Sequence, residues 1–450
     1  MTHPVTRQVA DLCATLASQP GLDPAEADQI RSCAAELDQP LRLAVVGRIK
    51  AGKSTLVNAL IGRRTAATAA GECTQVVTEY RFGAPDRAEV IDVDGQVHPL
   101  PFADPAQSRL PADLQLADGR RLAAAEVDHL RVWLSSAPLR EITLVDTPGL
   151  SSAGNTDAVS VRAAGNADAL IFCFREAERA EEIRFLEQFR GASGAFQAFG
   201  INALGVLCQA DLVGSDPVQD AQRLAGRMAS EHRHLVAEVI PVSGLLAQTA
   251  RTGQIDELVA RRLATRDPED ELAAFLDPPS SQADEEDQLM ELLGPWGIAH
   301  GAAHSCDAGT LISWLDAASG VAALEHHIAR LLPLAPVLKA MRILAEVQRR
   351  CRASSQAVRL GGLIEKSSLA PEAWALRALP MWQLLARARP TSPALPELWS
   401  AIVWGPDAWL RRCDLNRDQR AREVLSAATF ALEPAEARAL RTLGRAYQSR

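Results

Sequence analysis

The sequence predicts an α/β domain, a mostly parallel sheet with helices on both faces, joined to an all-helical neck and bundle. Three observations predict it. Apolar runs of strand length alternate with helical segments between residues 40 and 250. One of those runs, 41–46, enters a loop with glycines at its first and sixth positions, Gly47-Arg-Ile-Lys-Ala-Gly-Lys-Ser54, and leaves through the helix-like segment 56–61. From about residue 251 the strand-like runs stop and helical patterns take over.

Taken in order, residues 1–39 read as two helices. Val5, Val9, Leu12 and Leu16 share one face, and Pro20-Gly21 interrupts. Asp23-Pro24-Ala25-Glu26 then starts a second helix, with Asp as cap and Pro at the first helical position. Strands are expected at 43–46, 76–82, 127–134, 142–145, 170–174, 203–207 and 239–242. Residues 83–122 have a poor pattern, and the turn signals Asp94-Gly95 and Asp118-Gly119 suggest an inserted hairpin region. Residues 251–276 read as helical and 277–287, rich in Pro, Ser, Asp and Glu, as a linker. The longest helix is expected from 336 to 360, stopped by Gly361-Gly362. Further helices are expected at 371–388, 395–413 and 417–448.

Composition excludes some classes. The 47 Lys and Arg against 56 Asp and Glu leave a net charge of −9, the wrong sign for a protein whose partner is nucleic acid. The 8 cysteines are scattered without a C-x-x-C pair, as free thiols of a reducing cytosol would be. No signal-peptide pattern is seen, and no run reaches the ~20 apolar residues that span a bilayer. The expectation is a cytoplasmic chain whose membrane contact is peripheral, on the inner face of the plasma membrane.

The glycine loop is a phosphate site in its physics. Gly47 and Gly52 let successive N–H groups turn inward as a cradle, and the following helix adds its positive end. Gly47, Ile49, Lys50, Ala51, Gly52, Lys53, Ser54 and Thr55 are therefore the phosphate-side candidates. Lys53 brings charge to the outer phosphates, and the Ser54 hydroxyl is a hard ligand for Mg²⁺.

Four further pieces narrow the reading. The run 142–145 ends in Asp146-Thr147-Pro148-Gly149, where Asp146 suits Mg²⁺ through water and the Gly149 N–H suits a γ-phosphate. In Gly71-Glu-Cys-Thr-Gln-Val-Val-Thr78, Thr74 is the favoured switch threonine for Mg²⁺, with Thr68 and Thr78 competing. After the run 203–207, Cys208-Gln209-Ala210-Asp211 places a carboxylate that can accept two hydrogens from guanine and that adenine cannot satisfy. Ser243-Gly244 follows the last strand where a base-backing loop belongs.

These segments together resemble the bacterial dynamin-like GTPases, and among them the isoniazid-inducible branch, over about 40–250. The resemblance implies an α/β P-loop GTPase domain at 40–250, a helical arm at 1–39 and a helical neck and stalk bundle at 251–450. It implies phosphate contacts from Gly47, Gly52 and Lys53, magnesium contacts from Ser54 and Thr74, and guanine contact from Asp211, with GTP/GDP and Mg²⁺ as cofactors. It also implies heads that pair across the nucleotide, with a second copy or a second dynamin-like protein, and work on membrane lipid.

Two departures bear on mechanism. Leu150 stands where a glutamine would orient the attacking water, so the water falls to the switch backbone and Thr74. Lys50 occupies a place where a charge can act in cis on the transition state, which makes Lys50, Lys53, Thr74 and Gly149 the catalytic candidates. In the base motif, Cys208 and Gln209 replace the usual Asn/Thr and Lys. Two other readings stay open: an Era-like regulatory or ribosome-assembly switch, and a catalytically weak scaffold beside another dynamin-like protein. His300, His304 and Cys306 read as a polar hinge rather than a metal site. Trp399, Trp404 and Trp409 read as core, with a bilayer-facing tip as the alternative.

Overall fold

The computed structural model describes residues 3–66, 76–103, 109–111, 114–150, 155–176, 180–192, 200–265, 283–388, 390–431 and 433–448. The chain divides into two compact units, one of residues 42–186 and 203–329, the other of residues 1–41, 187–202 and 330–450.

The first unit is built on a nine-stranded sheet. Its strands are β1 (Leu41–Gly47), β2 (Val77–Phe82), β3 (Arg87–Asp92), β4 (Val97–Leu100), β5 (Val127–Leu134), β6 (Ile142–Asp146), β7 (Ala169–Phe174), β8 (Ala203–Cys208) and β9 (Val239–Val242), in the order β4-β3-β5-β2-β6-β1-β7-β8-β9. β1, β7, β8 and β9 run parallel, with Leu43 opposite Ala169 and Gly205 opposite Val239. Every residue of β7 and β8 is buried, as expected of uninterrupted apolar strands covered on both faces. β2 is antiparallel to β6, and β3 is antiparallel to both β4 and β5. The expected hairpin region is thus a sheet extension, with Asp94-Gly95 turning β3 into β4.

Strand order reverses at β1: the chain leaves it toward β6 and β2 on one side and later adds β7, β8 and β9 on the other. A crevice at the carboxyl ends of strands beside such a reversal is where α/β sheets bind ligands. The helices of this part are α3 (Lys53–Ile61), α4 (Asn155–Gly165), α5 (Ala180–Ala192), α6 (Pro217–Glu231) and α7 (Gly244–Arg251).

Four more helices belong to the same unit: α8 (Glu257–Ala264), α9 (Ala283–Gly301), α10 (Ala308–Ala318) and most of α11 (Val321–Leu331). α8, α9 and α10 share a core with α7, in which Leu246, Leu263, Leu293, Leu311 and Leu315 are fully buried. α9 kinks at Gly294, whose φ of 64° is left-handed, and Pro295 follows. On this core His300, Trp296, Trp314 and His304 stack in that order, with centroids 4.6, 5.5 and 4.9 Å apart. Among the described residues no group of three or more His, Cys, Asp or Glu is placed to hold a metal ion.

The other unit is helical: α1 (Pro4–Ala17), α2 (Pro24–Ala35), α12 (Ala335–Ala353), α13 (Ala357–Ser368), α14 (Trp374–Ala388), α15 (Ala394–Trp404), α16 (Pro406–Arg412), α17 (Arg417–Phe430) and α18 (Pro434–Gln448). The α1 stripe Val5, Val9, Leu12 and Leu16 is buried, and Asp23 caps α2 by accepting the Ala25 N–H at 2.7 Å. The expected single helix 336–360 is two. Ser354 leaves the helical region (ψ 151°), its hydroxyl bonds to Glu26 at 3.0 Å, and the Gln356 amide donates to the Pro20 carbonyl at 3.0 Å. Ser and Gln side chains here supply alternatives to helix continuation, while Gly361 and Gly362 lie inside α13 and stop nothing. The expected 395–413 and 417–448 helices are likewise each two: α15 ends at Trp404 and α17 at Phe430, and Pro406 and Pro434 start the helices that follow. Trp399 packs against Trp382 (4.8 Å), and Trp404 is 46% exposed under the Arg412 guanidinium. Among the described residues no helix is long and apolar enough to cross a membrane.

Candidate functional site

β1 delivers the phosphate loop to the reversal point of the sheet. At Gly47 a Cβ would lie 2.6 Å from the Cys173 carbonyl oxygen, so a side chain has no room there. Lys50 takes a left-handed φ of 61°, and Gly52, with φ 89°, caps α3. The loop closes on itself: the Ala51 N–H donates to the Arg48 carbonyl at 3.1 Å, and the Lys53 ammonium donates to the same oxygen at 2.9 Å. Lys53 is buried, while Ile49 and Lys50 are exposed.

The Asp146–Leu150 segment is stitched to this loop. Leu150 N–H donates to the Gly47 carbonyl (3.0 Å), and Ile49 N–H donates to the Leu150 carbonyl (3.3 Å), so the parallel pairing runs on past the strands. Thr147 donates its hydroxyl to the Val45 carbonyl at 2.9 Å. Gly149 is pressed so closely on the loop that a Cβ there would lie 2.7 Å from the Ile49 nitrogen.

Asp146 is the electrostatic centre of the described site. Its Oδ2 accepts the Ser54 hydroxyl at 2.9 Å, and its Oδ1 is buried without a partner among the described residues. Burial pushes the carboxyl up to about 6, against the opposing pull of Lys53, the Ser54 hydroxyl and the Thr147 N–H. A buried carboxylate oxygen with a free lone pair, beside a hydroxyl and a lysine, fits a hard divalent cation that takes oxygen ligands. Ser54 and Asp146 are the described residues that would hold Mg²⁺; Thr74 lies outside the described residues, as do Thr68 and the rest of 67–75.

The base side assembles next to it. A Cβ at Gly52 would be 3.8 Å from the Cβ of Cys208, which puts the start of the base motif against the phosphate loop. Gln209 is left-handed (φ 56°), and Ala210–Leu212 form a 3₁₀ turn that carries the half-buried Asp211. Ser243 caps α7 by accepting the Leu246 N–H, and its own N–H donates to the Ser319 carbonyl at 2.9 Å. A Cβ at Gly244 would touch α3, 3.5 Å from the Leu56 nitrogen and 3.6 Å from Thr55. The sequence reading did not single out Gly294. A Cβ there would lie 3.9 Å from Asp211 Oδ2 and 3.3 Å from Leu245, so the kink of α9 backs the base loop.

The segments 47–55, 146–150, 208–211 and 243–244 therefore meet at the carboxyl edge of one sheet. Residues 43–189 match the dynamin family. Among curated relatives, the isoniazid-induced protein IniC of Mycobacterium tuberculosis is 37% identical over 247 residues, which are 52% of this chain and 48% of that protein. Residues 43–189 are thus a dynamin-like region. A bacterial dynamin-like protein of Nostoc punctiforme is 27% identical over 243 residues, 51% of this chain and 34% of that one. The chain thus spans about half or less of the length of these relatives. Among solved structures, one described as an oligomerised bacterial dynamin pair for long-range sensing and tethering of membranes aligns over 94% of this chain and 51% of its own, at 15% identity and a TM-score of 0.43.

Proposed function

We propose that this dynamin-like protein binds and hydrolyses GTP with Mg²⁺, and that pairing of its heads couples nucleotide state to a helical stalk working on membrane. Residues 1–39 and the trailing helices are the arm and stalk in this reading. One observation carries it: the buried Asp146 Oδ1, without a partner among the described residues, beside the Ser54 hydroxyl at the mouth of a glycine loop. Bound magnesium would supply charge neutralisation on the β- and γ-oxygens.

The chain's own residues divide the remaining work. Gly47, Gly52 and Thr55 offer backbone N–H groups to the phosphates, those of Ile49 and Ala51 being given to the Leu150 and Arg48 carbonyls, and Lys53 leaves the Arg48 carbonyl to reach the outer ones. Asp211 accepts the guanine N1–H and exocyclic amine hydrogens, with Gln209 and Ser243-Gly244 flanking the base. Gly149 donates its N–H to the γ-phosphoryl group. Water, placed by the switch backbone and Thr74 when two heads meet, attacks the γ-phosphorus. The bond to the β–γ bridging oxygen then breaks, leaving GDP and phosphate, and Lys50 offsets the charge that develops. Head partners are a second copy or another dynamin-like protein, and lipid contact is peripheral.

A second reading, binding with weak turnover as a scaffold, is favoured by one specific feature, Cys208-Gln209 in place of the usual Asn/Thr-Lys. Turnover of GTP and ATP, followed against protein concentration with and without anionic liposomes, separates the two. A GTP rate that rises with concentration and again with liposomes is expected. GTP binding with a flat, negligible rate would select the scaffold, and no saturable Mg²⁺-dependent uptake of a GTP analogue would remove both.

A further inference from the structure

Asn58 is a polar residue in the middle of an apolar helix, Leu56-Val57-Asn58-Ala59-Leu60-Ile61, and is fully buried. Its amide is completely used. Nδ2 donates to the Gln248 Oε1 at 3.0 Å and to the Ala66 carbonyl at 3.1 Å, while Oδ1 accepts the Ala66 N–H at 2.8 Å. Gln248 is itself buried, on α7. Buried amides are retained at such positions only when each of their polar atoms is matched, because an unmatched one costs more than the bond returns.

The placement of the pair gives it a function. α3 opens at Lys53-Ser54 on the phosphate side, and Asn58 lies one turn further on. α7 opens at Ser243-Gly244 on the base side, and Gln248 lies one turn further on. The two helices also touch at their starts, where Gly244 leaves room only for the Leu56 nitrogen and Thr55. Two contacts a turn apart fix both the distance and the angle between the helices.

We propose that the Asn58–Gln248 amide pair is a positioning device that sets the spacing between the phosphate and base halves of the nucleotide site. The inference rests on the guanine-nucleotide reading above and deepens it. Neither side chain touches the nucleotide; each acts through the helix that carries it. A ligand that spans both halves depends on the pair, and one that occupies the phosphate half alone does not.

The test compares GDP with inorganic pyrophosphate, both with Mg²⁺, on the full chain, by titration of a fluorescent GDP analogue and competition against it. Gln248→Met keeps the volume and removes the acceptor. It is expected to weaken GDP about tenfold, the factor one net buried hydrogen bond commands, with pyrophosphate unchanged within about twofold. Gln248→Asn keeps the site polar while shortening its reach, and is expected to move GDP in the same direction by a smaller factor. This second variant decides the matter if the first fails to fold. Equal loss of GDP and pyrophosphate would make the pair merely structural, and no loss of either would also overturn the proposal. Failure of the wild-type chain to bind GDP would instead strike the functional reading, before any variant is compared.

Discussion

The Ser54 hydroxyl donates to one oxygen of Asp146 and leaves the other oxygen of the same carboxyl buried with no partner among the described residues. Asp146 is thereby held ready for a ligand at a cost to the empty fold. Burial raises its carboxyl to about 6, so the folded chain keeps this proton at pH values where the unfolded chain has already released it. Without nucleotide and metal, this group makes stability fall as pH rises from about 4 to about 6, and the cost persists above that. Between about 4 and about 6 this amounts to on the order of 3 kcal/mol. Asp146→Asn is therefore expected to resist urea better than the wild type near pH 7 and to lose that advantage near pH 4. It is also expected to lose Mg²⁺-dependent nucleotide binding. Equal urea midpoints near neutrality would contradict the buried-charge account.

Gly149 sets how closely the second phosphate-side segment approaches the first. A Cβ at 2.7 Å from the Ile49 nitrogen cannot be relieved by a side-chain rotation, since the obstacle is backbone. Gly149→Ala is expected to open the Ile49–Leu150 and Leu150–Gly47 bonds and to cost about 1–3 kcal/mol of stability. Turnover should fall on the order of a hundredfold, as misplacement by about 1 Å does, with GDP affinity largely kept. Stopped turnover and GDP titration check the two halves of this expectation.

Lys50 holds a left-handed backbone, which costs a lysine about 1–2 kcal/mol and a glycine little. In the proposed reaction the side chain's charge is what a glycine at this position would lack. Lys50→Gly is expected to keep or slightly raise the unfolding midpoint while kcat falls by about 10³, the scale of a charge supplied to the transition state. Full turnover in this variant would remove Lys50 from the catalytic set.

His3 caps α1 and joins it to α15. Its Nε2–H donates to the Ile402 carbonyl at 2.9 Å, and its Nδ1 accepts the Val5 N–H at 3.2 Å, so both nitrogens are committed in the neutral ring. Burial lowers its pKa, and the bond to Ile402 only partly opposes this. A histidine depressed on folding contributes stability that is complete above its unfolded value, near 6.5, and is lost as pH falls from there through the folded value. His3→Gln is expected to flatten the decline of thermal stability between about pH 7 and pH 5. An unchanged slope would mean that His3 does not govern this joint.

Much of this architecture was legible in the sequence because it is local. β5 and β9 fall where alternation and β-branched runs put them, and β1 with its loop is announced by Gly47 and Gly52. The start of α2 follows from Asp23-Pro24. What could not be read depends on partners far along the chain. The break at Ser354 is made by Glu26 and Pro20, more than three hundred residues away, whereas the glycines at 361 and 362 looked like the natural stop. Asn58 passed as one residue of the helical run 56–61, and nothing in the spacing named Gln248 or Ala66 as its partners. Gly294-Pro295 likewise drew no reading, because only the fold brings that bend against Asp211.

The parallel indoles of Trp296 and Trp314, with centroids 5.5 Å apart, are near enough for their excited states to mix. Such a dimer of chromophores yields a paired positive and negative band in ultraviolet circular dichroism that two separated indoles would not give. Because Trp296 lies two residues beyond the bend that meets Asp211, the chain carries its own optical gauge of the packing of α9 beside that carboxylate, readable without attaching any dye.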